Sequence, residues 1–282
     1  MEQDILKTGF KELDSRWCGG IKRGELVVAY FSVGMQTAFL SHTLVNMLSC
    51  VPPLKCLYFT FGESKELLHN KLVCIKSGVD YERYVEYKKR TEKDVKKIKQ
   101  TQQWLNEKLY KGNAKSLVVD NAYTLAEIFL CVAEAKASFG LDVVFIDGIC
   151  FLEDYANEDI RYALSILKDL SVRLDIAVIV GDYFRYRENR RPIKQIQNKY
   201  VFRIADKVIL AIRPEIYATA EEIENCEVAK GCVDFYVLKN QTGERGCFSL
   251  KFDFRTFRFY DSRDKDLDEQ EPPFEDATTI IV

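Results

Sequence analysis

The stretch of this chain that could do chemistry is ELVVAYFSVGMQTAFL, residues 25–40. An apolar, β-branched run from Glu25 to Ala29 feeds a short turn containing Gly34, and a helix starts near Thr37. Strand, turn and helix in that order form the setting of a phosphate-binding loop, where backbone N–H groups and a helix N-terminus cradle phosphate. The pattern for such a loop is G-x-x-x-x-G-K-(S/T), with the lysine on the β- and γ-phosphates and the hydroxyl on Mg²⁺. Here Thr37 keeps the hydroxyl, Gln36 stands in the lysine position and Met35 in that of the second glycine. A neutral amide does not offset triphosphate charge as an ammonium does. The apolar run DVVFIDG reads as a buried strand that ends in a second carboxylate of interest, Asp147. Read singly, Thr37 is equally well a helix N-cap and Asp147 the cap of a turn at the strand end.

The elements that would position these residues follow an α/β alternation. Short apolar strands at 25–31, 56–61, 116–121, 142–148, 177–184 and 207–213 are separated by helical stretches, the pattern of a largely parallel sheet. Two further strands, 232–240 and 247–254, read as an antiparallel pair joined by QTGERG. Residues 81–111 read as one long helix with Val95, Ile98, Gln102, Leu105 and Leu109 on one stripe and lysines over the rest. Such a lysine face is more often solvated than bound to nucleic acid.

Composition excludes several classes. No apolar run reaches the roughly 18 residues of a membrane span, and the N-terminus lacks the basic and apolar segments of a secretory signal. The nine cysteines are dispersed without a C-x-x-C pair and there are only two histidines, so neither zinc nor haem is expected. Dispersed cysteines inside apolar segments read as reduced thiols, which points to the cytoplasm. From Asp261 onward eight acidic residues face two basic ones, so the net −2 of the chain leaves about +4 on residues 1–260. Residues 1–260 therefore read as one domain and 261–282 as an acidic, disordered tail.

The segment TGFKELDSRWCGGIKRGEL, with Thr8, Gly9, Leu13, Asp14, Gly19, Gly20 and Gly24, resembles the start of RecA-like domains. KLVCIKSGVD (71–80), VVDNAYTLAEI (118–128), VVFIDGICFL (143–152) and LKNQTGERG (238–246) are similar, in order and spacing, to the C-terminal domain of DnaB-type replicative helicases. The resemblance runs from about Lys7 to Tyr260. It implies a RecA-like P-loop NTPase fold with a mostly parallel sheet, flanking helices and a C-terminal antiparallel hairpin.

Departures from that family fall where its chemistry is done. Gly34, Gln36, Thr37 and Asp147 occupy the nucleotide-binding positions, with the lysine replaced and the loop one residue short; the resemblance implies that Thr37 and Asp147 could hold the Mg²⁺ of Mg-ATP if a nucleotide bound. In FTFGES the catalytic carboxylate position holds Gly62, with Glu63 one place late, and one residue of extended chain is about 3–4 Å. The phosphate-sensor position aligns with Tyr183, next to Asp182. The arginine finger of the late turn aligns with Gln241, while Lys239 is retained and Arg245 lies nearby. Such a finger is worth about 10³–10⁵ in rate. The resemblance also places RYRENRRPIKQIQNK (185–199) in a channel loop, implying that Arg185, Arg187, Arg190, Arg191 and Lys194 contact single-stranded DNA in a salt-sensitive, sequence-independent way.

The expectation is a stand-alone, degenerate DnaB-like domain deficient in ATP hydrolysis, a pseudoenzyme acting as a DNA- or helicase-associated accessory protein in replication. Its partners would be single-stranded DNA, further copies in a ring, or a helicase. The family's N-terminal helical domain and linker helix are not expected before Met1, so an autonomous replicative helicase is not expected either. One alternative is a working ATPase in which Lys22, Lys239 or Arg245 replaces the lost lysine. The other is a RecA-like protein–protein scaffold.

Overall fold

Six strands of the chain are apolar at consecutive positions, and that lets them be covered on both faces. The computed structural model describes residues 5–32, 34–110, 117–122, 124–153, 160–183, 199–218, 225 and 230–261. In it β3 (Leu26–Phe31), β4 (Cys56–Thr60), β5 (Leu117–Val119), β6 (Val143–Asp147), β7 (Ala177–Tyr183) and β8 (Lys207–Ile212) are all parallel. A short separate pair, β1 (Ile5–Leu6) and β2 (Ile21–Lys22), flanks α1 (Lys11–Arg16). The main sheet continues antiparallel through β9 (Cys232–Asn240), β10 (Gly246–Asp253) and β11 (Arg258–Asp261), in the order β11-β10-β9-β8-β3-β7-β6-β4-β5. In β9 only Val233, Phe235 and Val237 are buried, the alternation of a sheet packed on one face. The mostly parallel α/β architecture and the C-terminal hairpin agree with expectation; β11 was not anticipated, and it takes in Asp261. Residues 262–282 lie outside the described residues.

One face of the sheet packs on α2 (Gln36–Leu48), α3 (Lys65–Ser77) and α5 (Glu92–Leu105), the other on α6 (Leu125–Phe139), α7 (Ile160–Leu174) and α8 (Lys199–Ile204). Helix ends follow local chemistry. Ser64 caps α3 by accepting from Leu67 N, and Gly78 closes it in the left-handed region. Thr124 and Glu127 form a capping box on α6. The Thr8–Asp14 pattern also has a physical reason: the Asp14 carboxylate accepts from Thr8 N at 2.8 Å, Thr8 Oγ1 at 2.7 Å and Gly9 N at 3.0 Å, fixing the chain ahead of α1.

The long helix expected over 81–111 is broken in the structure. Asp80 caps a short α4 (Tyr81–Val85), a single 3₁₀ turn follows at Tyr87–Lys89, and Thr91 with Asp94 starts α5 afresh through a capping box. Competition from these side-chain caps explains the break, because Asp and Thr offer the backbone a helix start wherever they stand. The buried positions are Asp94, Ile98, Thr101 and Leu105, whereas Val95 is 51% exposed, so the apolar stripe is rotated from the one read in the sequence.

Helix α2 is tied to the sheet edge by His42. Its Nδ1 accepts from Phe259 N at 3.0 Å, and its ring lies against Phe10 and Phe259. Burial, helped by the nearby Arg258 guanidinium, lowers its pKa to about 3. A histidine held neutral in the fold but free to protonate when unfolded favours the unfolded chain as pH falls below its ordinary value near 6.5. The loss amounts to about 1.4 kcal/mol per pH unit. Urea titrations should therefore show stability falling by about 2 kcal/mol between about pH 6.5 and pH 5. His42→Asn keeps an acceptor that does not titrate and should flatten that segment of the profile. Parallel profiles for the two proteins would refute the assignment.

Candidate functional site

The C-terminal ends of β3, β7, β6 and β4 bring the sequence-predicted residues together, because parallel strands all point the same way. Asp147 pairs in register with Thr60 of β4 and Gly181 of β7, and Ala29 of β3 lies beyond Gly181. This edge of a parallel sheet is where α/β folds place ligands. Gly34 adopts φ +82°, a left-handed conformation that favours glycine, and the turn hands over to α2 at Gln36. Met35 is the N-cap and makes no side-chain cap bond, so Thr37 is not the cap, one of the readings its sequence position left open.

The Gln36 side chain does not extend toward solvent. It is 1% exposed and its Nε2 donates to Asp147 Oδ1 at 2.5 Å. Space for it exists because position 181 is glycine: a Cβ there would come within 2.9 Å of Gln36 Cγ. Tyr58 OH donates to the other carboxylate oxygen, Asp147 Oδ2, at 2.7 Å. The Thr37 hydroxyl also acts on this carboxylate. Asp147 is 2% exposed, and burial pushes its pKa up against these three donors, with the Glu63 charge adding to the rise. Gln36 Oε1 is buried without a hydrogen-bond partner among the described residues. Leaving such an acceptor unmet costs about 1–3 kcal/mol, so the amide is held here by its donor side alone.

Glu63 reaches the same neighbourhood. One carboxylate oxygen forms an ion pair with Lys71 of α3, while Oε2 is buried and unpartnered among the described residues. Its charge is felt at Asp147, Tyr58 and Tyr183, so the one-residue displacement has not taken it out of the site. Tyr183 stands at the end of β7 with its ring edge-on to Phe151 at 5.8 Å, and burial first, then Asp147, pushes its phenol up to about 12. Cys150 is raised to about 11 by burial and then by Asp182, which makes it an inert thiol. Sequence reading missed Tyr58 and Lys71. A tyrosine inside CLYFTF carries no signal of its own, and Lys71 lies a full helix away from the loop.

Other candidates lie elsewhere. Lys239 on β9 pairs in register with Val208, and its Nζ donates to Ala205 O, at the N-terminal edge of the parallel strands. Arg245 is exposed in the β9–β10 turn, which packs on the end of α1 through Asn240 Nδ2 to Arg16 O at 2.9 Å. Lys22 lies at that same edge, its N–H donating to Glu25. Sheet rise puts that edge roughly 20 Å from Gln36. Within one chain Lys22, Lys239 and Arg245 thus lie at the opposite end of the sheet from Gln36. Arg185, Arg187, Arg190, Arg191 and Lys194 lie outside the described residues.

Toward Mg-ATP the site offers the Thr37 hydroxyl and the Asp147 carboxylate, which already act on one another. Both Asp147 oxygens are engaged by Gln36 and Tyr58, and no group of three or more His, Cys, Asp or Glu is placed to hold a metal among the described residues. No described helix is long and apolar enough to cross a membrane.

A family model describing the DnaB-like helicase C terminal domain matches residues 6–261. No curated protein matches the chain. A solved ATPase domain superposes with a TM-score of 0.73 at 21% identity, covering 90% of each chain. A DnaB-like replicative helicase, solved in a study of its interactions with primase, gives a TM-score of 0.73 at 20% identity, with 90% of this chain and 61% of that one covered. At these identities the likeness establishes the fold.

The site geometry predicts two stability effects. A carboxyl whose pKa is raised on folding stabilises the fold below its unfolded value near 3.8 and loses that contribution as pH rises through the folded value. Asp147→Asn should therefore raise the melting temperature at pH 8, with the gain shrinking as the pH approaches 4. Tyr58→Phe should cost about 1–3 kcal/mol by stripping a donor from a buried carboxylate. Thermal melts across that pH range check both, and an Asp147→Asn protein less stable at pH 8 would contradict the first.

Proposed function

The chain belongs to the DnaB-like helicase C-terminal domain family, and from that premise we infer that it is a family member deficient in ATP hydrolysis. On this reading it serves replication as an accessory to DNA or to a helicase. The observation that carries the reading is the hydrogen bond from Gln36 to Asp147. It puts a neutral amide where phosphate charge needs a cation, and it seats that amide against the carboxylate a magnesium ion would approach. Among the described residues the cations near this edge are already paired: Lys71 with Glu63, Lys65 with Asp120 and Arg213 with Glu215.

On this reading Lys239 and Arg245 face a neighbouring copy rather than Gln36 of their own chain. Their distance from Gln36 in the same chain is compatible with a ring or filament in which one subunit's turn meets the next subunit's site. Under this reading single-stranded DNA is held by the 185–199 loop, and a helicase or primase-type partner is met through the assembled ring. Magnesium and ATP, if they enter, must first displace the Gln36 side chain.

Steady-state phosphate release is expected at background with and without single-stranded DNA, and calorimetry is expected to give no tight binding of Mg-ATP. Gln36→Lys is expected to leave turnover at background, because the catalytic carboxylate and finger positions also differ. Clear turnover that Asp147→Ala abolishes would overturn the reading and favour a working ATPase.

A further inference from the structure

The arm formed by α4 and α5 presents a cationic surface that the site above does not use. Between Tyr87 and Gln100 the chain holds seven basic residues and two acidic ones. One of the acids, Asp94, is buried and committed to the Thr91 capping box and to Arg83. Lys89 is paired with Glu82 and Glu86, and Arg90 turns back to the carbonyls of Arg83 and Tyr84. Lys88, Lys93, Lys96, Lys97 and Lys99 remain exposed, and none forms an ion pair among the described residues. Beside them Tyr87 is 78% exposed, its ring stacked by the Arg90 guanidinium at 4.2 Å.

A solvated lysine face needs no rigid support, but this one has it. Ile98 and Leu105 anchor α5 in the core, and Lys76 of α3 lies over the Trp104 ring at 4.5 Å. Cations held on a fixed helix with an exposed aromatic beside them suit a chain of phosphates carrying planar bases. Phosphate contacts need only cations in reach, and an exposed ring can take an unpaired base of any sequence. An acidic polypeptide would satisfy the lysines but has no use for Tyr87.

We propose that the α4–α5 arm is a nucleic-acid contact surface, with Lys88, Lys93, Lys96, Lys97 and Lys99 on backbone phosphates and Tyr87 stacking on an unpaired base. It uses no residue of the 185–199 segment or of the Gln36–Asp147 site, so it stands whether or not the chain hydrolyses ATP. Fluorescence anisotropy of the full chain with a labelled oligothymidylate and with a duplex of equal length tests it. Joint Lys93→Gln, Lys96→Gln, Lys97→Gln and Lys99→Gln should weaken single-strand binding at least tenfold near 50 mM salt and reduce the slope of log affinity on log salt by up to about 3. Tyr87→Ala should weaken single-strand binding several-fold and spare the duplex; equal effects on both would overturn the stacking assignment. All these positions are exposed, and circular dichroism melts check that the variants fold. Wild-type affinity and slope in the lysine variant would overturn the proposal. If Arg185→Gln, Arg187→Gln, Arg190→Gln and Arg191→Gln then abolished binding, the DNA-associated reading would survive without it. Absence of nucleic-acid binding, or preferential binding of polyglutamate, would also overturn it.

Discussion

A carboxylate buried without a cation is the constraint around which the C-terminal edge of this sheet is arranged. Asp147 is fixed by its strand in the centre of the parallel sheet, too deep for water to solvate it. Its neighbours must supply donors or raise its pKa, and here they do both. Gln36 comes from the first turn of α2 and Tyr58 from β4, so the same carboxylate joins a helix start and two strands. Gly181 follows from this arrangement, since any larger residue on β7 would meet the Gln36 side chain. In a nucleotide-binding relative the lysine and metal would carry the charge; with an amide in the lysine position, the residues close on one another.

The opposite edge of the sheet handles charge differently. Lys207, fully buried, pairs with Glu25, and Asp206 accepts from Leu26 N at 2.7 Å while pairing with Lys168 at 2.7 Å. Each buried ion there has a partner of opposite sign. A buried pair is weak evidence for net stability, but removing one member is costly because the other is stranded. These pairs pin the starts of β3 and β8 next to the β9–β10 turn. That edge is a rigid platform, and Lys239 belongs to it.

Much of the architecture was legible because burial on both faces writes itself as uninterrupted apolar runs. VVFID, AVIVGDY and KVILAI read as central strands, and CVDFYVLKN with CFSLKFDF as an antiparallel pair. Thr8, Gly9 and Asp14 were recognisable as a pattern, although only the geometry explains it as three bonds to one carboxylate. The break between α4 and α5 was hidden because Thr91 and Asp94 act through two hydrogen bonds that apolar periodicity does not weigh. In the site, Thr37 and Asp147 were found from motif position. Tyr58 was not, since a phenol in a buried strand reads as core until its hydroxyl is seen to meet Asp147.

Gln36 illustrates the limit most sharply. Its position was visible as a departure, and the departure reads naturally as the loss of a group. In the fold it is equally a gain: the amide is short enough to turn back onto Asp147 and neutral enough to be buried there, where a lysine ammonium would bring a charge to be paired. Substitution at the loop and closure around Asp147 are then one event, because the residue that stands in the lysine position is the residue that satisfies the aspartate. The retained Asp147 thus needs no nucleotide to explain it. A carboxylate locked to Gln36 and Tyr58 ties α2 to the sheet, and that tie would be lost if Asp147 were replaced by an apolar residue that accepts neither bond.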